Sequence, residues 1–172
     1  EKLEAWDWWY YTEKLRKEKY DLEEDQIKPY FKLENVREGA FAVANKLYGI
    51  TLTKLNNVPV YHPDVEVFEV QGVDGSQLGI FYVDYFPRAG KSGGAWMSNY
   101  REQKGDIRPL VCNVASFTKP VGDTPSLFTI DEVETLFHEF GHALHGLLTK
   151  CNYLGVSGTN VVRDFVELPS QL

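Results

Sequence analysis

The stretch from Thr129 to Lys150 constrains the fold more than any other, because its start signal, its hydrophobic period and its polar insertions all point to the same element. Thr129 and Glu132 form the Thr-x-x-Glu capping box that satisfies orphan N–H groups at a helix start. Beyond it Val133, Leu136, Phe137, Phe140, Ala143, Leu144 and Leu147 recur at helical spacing. The spacing predicts a helix from near Ile130 to near Lys150 with one face against a core. Set into that run are His138, Glu139 and His142, the pattern His-Glu-x-x-His. At 3.6 residues per turn the two imidazoles lie about 40° apart around the helix and about 6 Å apart along it, so both can reach one ion. Glu139 projects roughly 100° away from His138, awkward for a ligand but suited to holding a water beside a metal.

A catalytic zinc takes three protein ligands and keeps one position open, so a third donor is needed. His145 shares the face of His138 but sits about 10 Å further along the axis, too far for all three histidines to meet at one ion. A structural role, or one supporting the ligands from outside, suits it better. Downstream, Glu167 lies on a second expected helix, Val161 to Val166 and onward until Pro169, which can fold back after the Gly-rich loop at 155–159. Glu167 suits a ligand, and Asp164, three residues earlier, suits a carboxylate that fixes a ligand imidazole through its other nitrogen. An ordinary exposed acidic helix face accounts for both equally well.

Upstream the pattern is different. An aromatic, charged segment from Leu3 to Lys19, with Trp6, Trp9 and Tyr10 at helical spacing, predicts a helix that packs on a larger body. Residues 35 to 48 predict another, with Val36, Ala40, Val43, Ala44, Leu47 and Tyr48 on its apolar face and Gly49 at its C-cap. The period then falls to two. Thr51 to Leu55, Val65 to Gln71, Leu78 to Phe86, Ala95 to Tyr100 and Leu110 to Phe117 read as strands, the second and third joined as a hairpin through Asp74 and Gly75. The class expected is therefore α+β: a small mixed sheet of about five strands, helices before it and a helix pair after it.

Lys91-Ser92-Gly93-Gly94 lacks the ending and the following helix of a phosphate loop. Gly93, Gly94, Ala95 and Trp96 instead suit a close backbone approach, at an edge strand that captures an extended peptide. His62, beside Pro63, reads as a turn residue. Cys112 and Cys151 are too few for a disulfide framework and lack metal-pair spacing. A net charge of -7 leaves no electrostatic footprint for nucleic acid. No apolar run approaches the roughly 18 residues of a membrane-spanning helix.

Phe137-His138-Glu139-Phe140-Gly141-His142-Ala143-Leu144-His145-Gly146-Leu147, with Ser157-Gly158-Thr159-Asn160 and Arg163-Asp164-Phe165-Val166-Glu167-Leu168-Pro169-Ser170-Gln171, resembles the thimet oligopeptidase family of zinc peptidases. Lys91-Ser92-Gly93-Gly94-Ala95-Trp96-Met97 and His145-Gly146-Leu147 are most similar to its bacterial peptidyl-dipeptidases, also called dipeptidyl carboxypeptidases. The resemblance implies a zincin-like fold and one Zn2+ held by His138, His142 and Glu167, with Glu139 as general base. It implies short unstructured peptides as substrates and a cytoplasmic or periplasmic location. It further implies that the chain is part of a catalytic domain. The helical lobe before it and the substrate-binding helices after it, which carry a His and several Tyr for substrate and oxyanion, are expected outside these 172 residues. Release of C-terminal dipeptides is the expected activity. Internal cleavage, or for this chain alone an inactive peptide- or metal-binding module, stays open.

Overall fold

The computed structural model describes residues 3–20 and 24–171. A turn of 3-10 helix at Ala5–Asp7 leads into α1 (Trp8–Tyr20), followed by the single turn α2 (Glu24–Ile27) and by α3 (Leu33–Tyr48). The helix expected over Leu3 to Lys19 is thus present with a tighter start. Its aromatic residues are exposed and none of α1 is buried, so among the described residues it finds no body to pack on. Helix α3 ends on Gly49, whose φ of 68° is the left-handed conformation a C-cap needs, and whose N–H donates to the Asn45 carbonyl. Its buried stripe is Leu33, Val36, Ala40 and Ala44, narrower than the period suggested. Val43, Leu47 and Tyr48 are exposed instead and line a groove.

Five strands follow: β1 (Thr51–Leu55), β2 (Glu66–Gln71), β3 (Gln77–Asp84), β4 (Trp96–Arg101) and β5 (Leu110–Val114). They form one mixed sheet in the order β1-β2-β3-β5-β4. β2 and β3 are the expected antiparallel hairpin, turned where the Asp74 carboxylate accepts from the backbone N–H and hydroxyl of Ser76. β5 inserts between β3 and β4, parallel to the first and antiparallel to the second. Its residues explain the central place: Val111, Cys112, Asn113 and Val114 are all buried, a continuous run rather than an alternation. Two strands stop earlier than expected, β3 at Asp84 and β5 at Val114. Their pairing continues informally, with the N–H groups of Ala115 and Phe117 donating to the carbonyls of Asp84 and Tyr85.

Helix α4 (Ile130–Leu148) lies on β3, β4 and β5. Both capping-box hydrogen bonds form, and the Glu132 carboxylate also accepts from the backbone and hydroxyl of Thr118, tying the helix start to the preceding loop. Phe140 sits between Phe41 of α3 and Phe81 of β3, with ring centroids 5.5 and 5.6 Å away. With Ala143, Leu147, Val83 and Val111 these rings make the core that fixes the helix on the sheet. At its far end the Arg108 guanidinium donates to the carbonyls of Leu78 and Leu147, joining β3 to the last turn of α4. Helix α5 (Arg163–Val166) is a single turn, shorter than expected because Val162 is extended as its N-cap.

Candidate active site

The apolar stripe of α4 anchors on the sheet, and the neighbouring stripe carries His138, half-buried, and His142, buried. Their rings are perpendicular with centroids 4.8 Å apart. Glu167, the C-cap residue of α5, completes the group. Its Oε2 lies 3.2 Å from His138 Nε2 and 3.1 Å from His142 Nε2. One donor atom from each of the three residues lies within 4.8 Å of the others. Two imidazole nitrogens and a carboxylate oxygen are the donor set of a catalytic zinc, three protein ligands with one position to spare, and the residues fit such an ion.

Glu139 points along a different direction, into a cleft between α4 and the sheet. Only 9% exposed, it has one carboxylate oxygen buried without a protein partner. Burial pushes its carboxyl pKa up, against the pull of His138 and His142; Glu167 adds to the rise, and the Met97 backbone N–H of β4 opposes it. Met97 is a neighbour that sequence pattern does not reveal, since it depends on which strand lies beneath the helix. Beside the motif runs a groove of about 780 Å³, with Val43, Leu47, Phe137 and Ala95 among its walls and His138 and Glu139 along one side.

Other residues singled out from sequence fall differently. Asp164 is exposed and makes no hydrogen bond to either histidine, and His142 Nδ1 is buried without a partner. Glu167, at the C-terminal end of α5, reaches the pair, while Asp164, three residues earlier, stays exposed. His145 likewise has a buried Nδ1 without a partner and packs edge-on to Phe165, with centroids 6.3 Å apart. Burial lowers its pKa, and His142 lowers it further. Ala95 reaches the groove beside Glu139, whereas Trp96 turns to a separate depression with Tyr61 and Arg88. Gly93 and Gly94 have open space where a Cβ would stand, so no close approach among the described residues uses them.

That depression lies over a buried ionic cluster which sequence reasoning missed. Asp84, 1% exposed, accepts two hydrogen bonds from the Arg88 guanidinium at 2.7 and 2.8 Å, one from Lys91 at 2.9 Å and one from the Tyr61 hydroxyl at 2.8 Å. Lys91 also donates to the carbonyls of Asp84 and Phe86. Burial alone would raise the Asp84 carboxyl, but the hydrogen bonds of Arg88, Lys91 and Tyr61 overcome it and hold the pKa at about 2. The cluster pins the loop that delivers Gly93, Gly94 and Ala95 to β4.

Near the His138–His142–Glu167 cluster, two more residues escaped notice. Ser170 is buried and its hydroxyl donates to the Glu167 carbonyl at 2.7 Å and lies 3.2 Å from Glu167 Oε2. Gly141 faces the Pro169–Ser170 backbone. A glycine inside an otherwise strong helical pattern was the available signal, since it weakens the helix unless room is needed there.

The model of Peptidase family M3 matches residues 1–172. Dipeptidyl carboxypeptidase of Salmonella typhimurium is 52% identical over 99% of this chain and 25% of its own length. The Escherichia coli protein of the same name is 50% identical over 98% and 25%. Oligopeptidase A of Escherichia coli is 42% identical over 99% and 26%. The chain thus spans about a quarter of the length of these curated relatives. With the family model covering every residue and the His-Glu-x-x-His helix meeting a downstream carboxylate, the chain belongs to peptidase family M3.

Proposed function

We propose that the protein to which this chain belongs is a zinc peptidase that hydrolyses short peptides and releases dipeptides from their C-termini, and that these residues are part of its zincin-like catalytic domain. The observation that carries the reading is the convergence of His138, His142 and Glu167 with Glu139 on the same helix. The dipeptide-releasing mode is supported by the higher identity to the two dipeptidyl carboxypeptidases than to oligopeptidase A.

His138 Nε2, His142 Nε2 and a Glu167 oxygen would hold the ion. Zinc supplies a Lewis acid that makes water more acidic and draws electron density from a carbonyl. Glu139 orients the attacking water, takes a proton as the water adds to the scissile carbonyl, and gives one to the departing amine. The outer edge of β4 has no strand partner among the described residues. It offers its backbone N–H and C=O groups to an extended peptide, by the strand-addition mode. Ala95, at the start of this edge and in the groove wall, sets the peptide beside Glu139.

The test is to digest one peptide in two forms, with a free and with an amidated C-terminus, using the intact zinc-loaded protein. Dipeptides released from the free form alone are the expected result. Cleavage of both forms at internal bonds would replace the dipeptide-releasing mode with internal cleavage, and hydrolysis of neither would overturn the peptidase reading.

A further inference from the structure

We infer that Gly141 and Ser170 form a seat that aims the Glu167 carboxylate at the histidine pair, which makes both of them positioning residues for the third ligand. The inference rests on the zinc reading above. It begins from a mechanical problem: Glu167 follows a single helical turn whose apolar residues do not hold it. Val162, Phe165 and Leu168 are exposed, and no residue of α5 is buried. A carboxylate at the end of so loose a segment would sample many directions, at a cost in ligand affinity.

The segment is held just beyond Glu167 instead. An added Cβ at Gly141 would stand 2.6 Å from Ser170 Cα and 2.7 Å from the Pro169 carbonyl oxygen. Both are backbone atoms that cannot swing aside as a side-chain tip would. The absence of a side chain at Gly141 is therefore what lets the 169–170 backbone lie on α4, between the turns that present His138 and His142. From that seat the Ser170 hydroxyl shares its proton between the Glu167 carbonyl, 2.7 Å away, and Glu167 Oε2, 3.2 Å away. The same Oε2 stands within 3.2 Å of both imidazoles. A continuous chain of contacts thus runs from the helix backbone through Ser170 to the ligand oxygen. Carboxylates that ligate metals are commonly oriented by such outer hydrogen bonds, whose loss lowers metal affinity about 10- to 100-fold.

The test compares wild type, Ser170→Ala, Gly141→Ala and Glu167→Ala as intact proteins. Zinc affinity is measured by chelator competition, thermal unfolding is followed on the metal-free forms, and the visible absorption of the cobalt-substituted forms is recorded. Ser170→Ala should bind zinc about 10-fold more weakly with its metal-free melting temperature unchanged, and its cobalt spectrum should move toward that of Glu167→Ala. Gly141→Ala should lose at least as much affinity, even though helix propensity alone favours alanine over glycine. Should Gly141→Ala fail to fold, Ser170→Ala still decides. Wild-type zinc affinity and an unshifted cobalt spectrum in Ser170→Ala would overturn the seat while leaving the zinc reading intact. A wild-type protein that takes up no stoichiometric zinc would overturn both.

Discussion

Replacing Asp84 by Asn removes one negative charge from beneath the β3–β4 loop and leaves two cations facing a neutral amide. Asp84 is 1% exposed and Lys91 has a side chain 5% exposed, so water cannot take the place of the lost carboxylate. In the native protein the carboxyl is held at about 2 against a reference of 3.8, a difference worth about 2.5 kcal/mol at roughly 1.4 kcal/mol per pKa unit. That is the part tied to the proton. Leaving the Lys91 ammonium buried without its counter-charge places the total loss for Asp84→Asn at about 3–5 kcal/mol near neutral pH. The pH dependence supplies an independent check. Because the folded pKa lies below the unfolded one, the stabilisation is fully present above pH 3.8 and is lost as pH falls toward 2. Urea unfolding of both proteins between pH 7 and pH 2 should show a gap that is constant above about pH 4.5 and narrows by about 2 kcal/mol on further acidification. A gap under 0.5 kcal/mol at neutral pH, or one that does not change with acid, would refute the view that this carboxylate is ionised and bound by both cations.

Two further expectations concern α4. Glu139→Gln keeps the shape of the side chain and the three metal donors, so metal content after dialysis should match the wild type while peptide turnover falls about 100- to 10,000-fold; preserved turnover would remove Glu139 from the mechanism. Thr129→Ala should cost about 1 kcal/mol in urea unfolding through loss of the N-cap. Glu132→Ala should cost more, since it also severs both hydrogen bonds from Thr118, and equal losses would argue that those contacts contribute nothing.

What the sequence discloses divides along the reach of its interactions. Helix α4 was legible to within two residues because its cap, its period and its histidine pair are all local, and the Gly49 terminus of α3 was legible for the same reason. The five strands could be counted from their β-branched and aromatic content and the turns between them. Their order could not, because the slot of β5 between β3 and β4 is a choice among partners distant along the chain. Within the site, the two histidines follow from one helical turn, whereas Glu167 stood out only through family resemblance. The Ser170 and Gly141 contacts exist only once the chain after α5 lies on α4, and the nearness of Met97 only once β4 lies beneath Glu139. The Asp84 cluster was invisible for a related reason: Tyr61, Asp84, Arg88 and Lys91 look like ordinary turn and loop residues until the strands bring them together.

The central position of β5 also dictates an order of events as the chain emerges from a ribosome. β4 is synthesised before β5, yet β5 is its only neighbour in the sheet among the described residues, so β4 has nothing to dock on until residues 110–114 have appeared. The parallel junction that must come first joins Ile80 to Leu110, closing a long loop before any of its pairing is rewarded. The edge expected to receive peptides is accordingly among the last parts of the sheet to exist, and a nascent chain stalled before Leu110 has a complete β2–β3 hairpin and no place to hold a substrate.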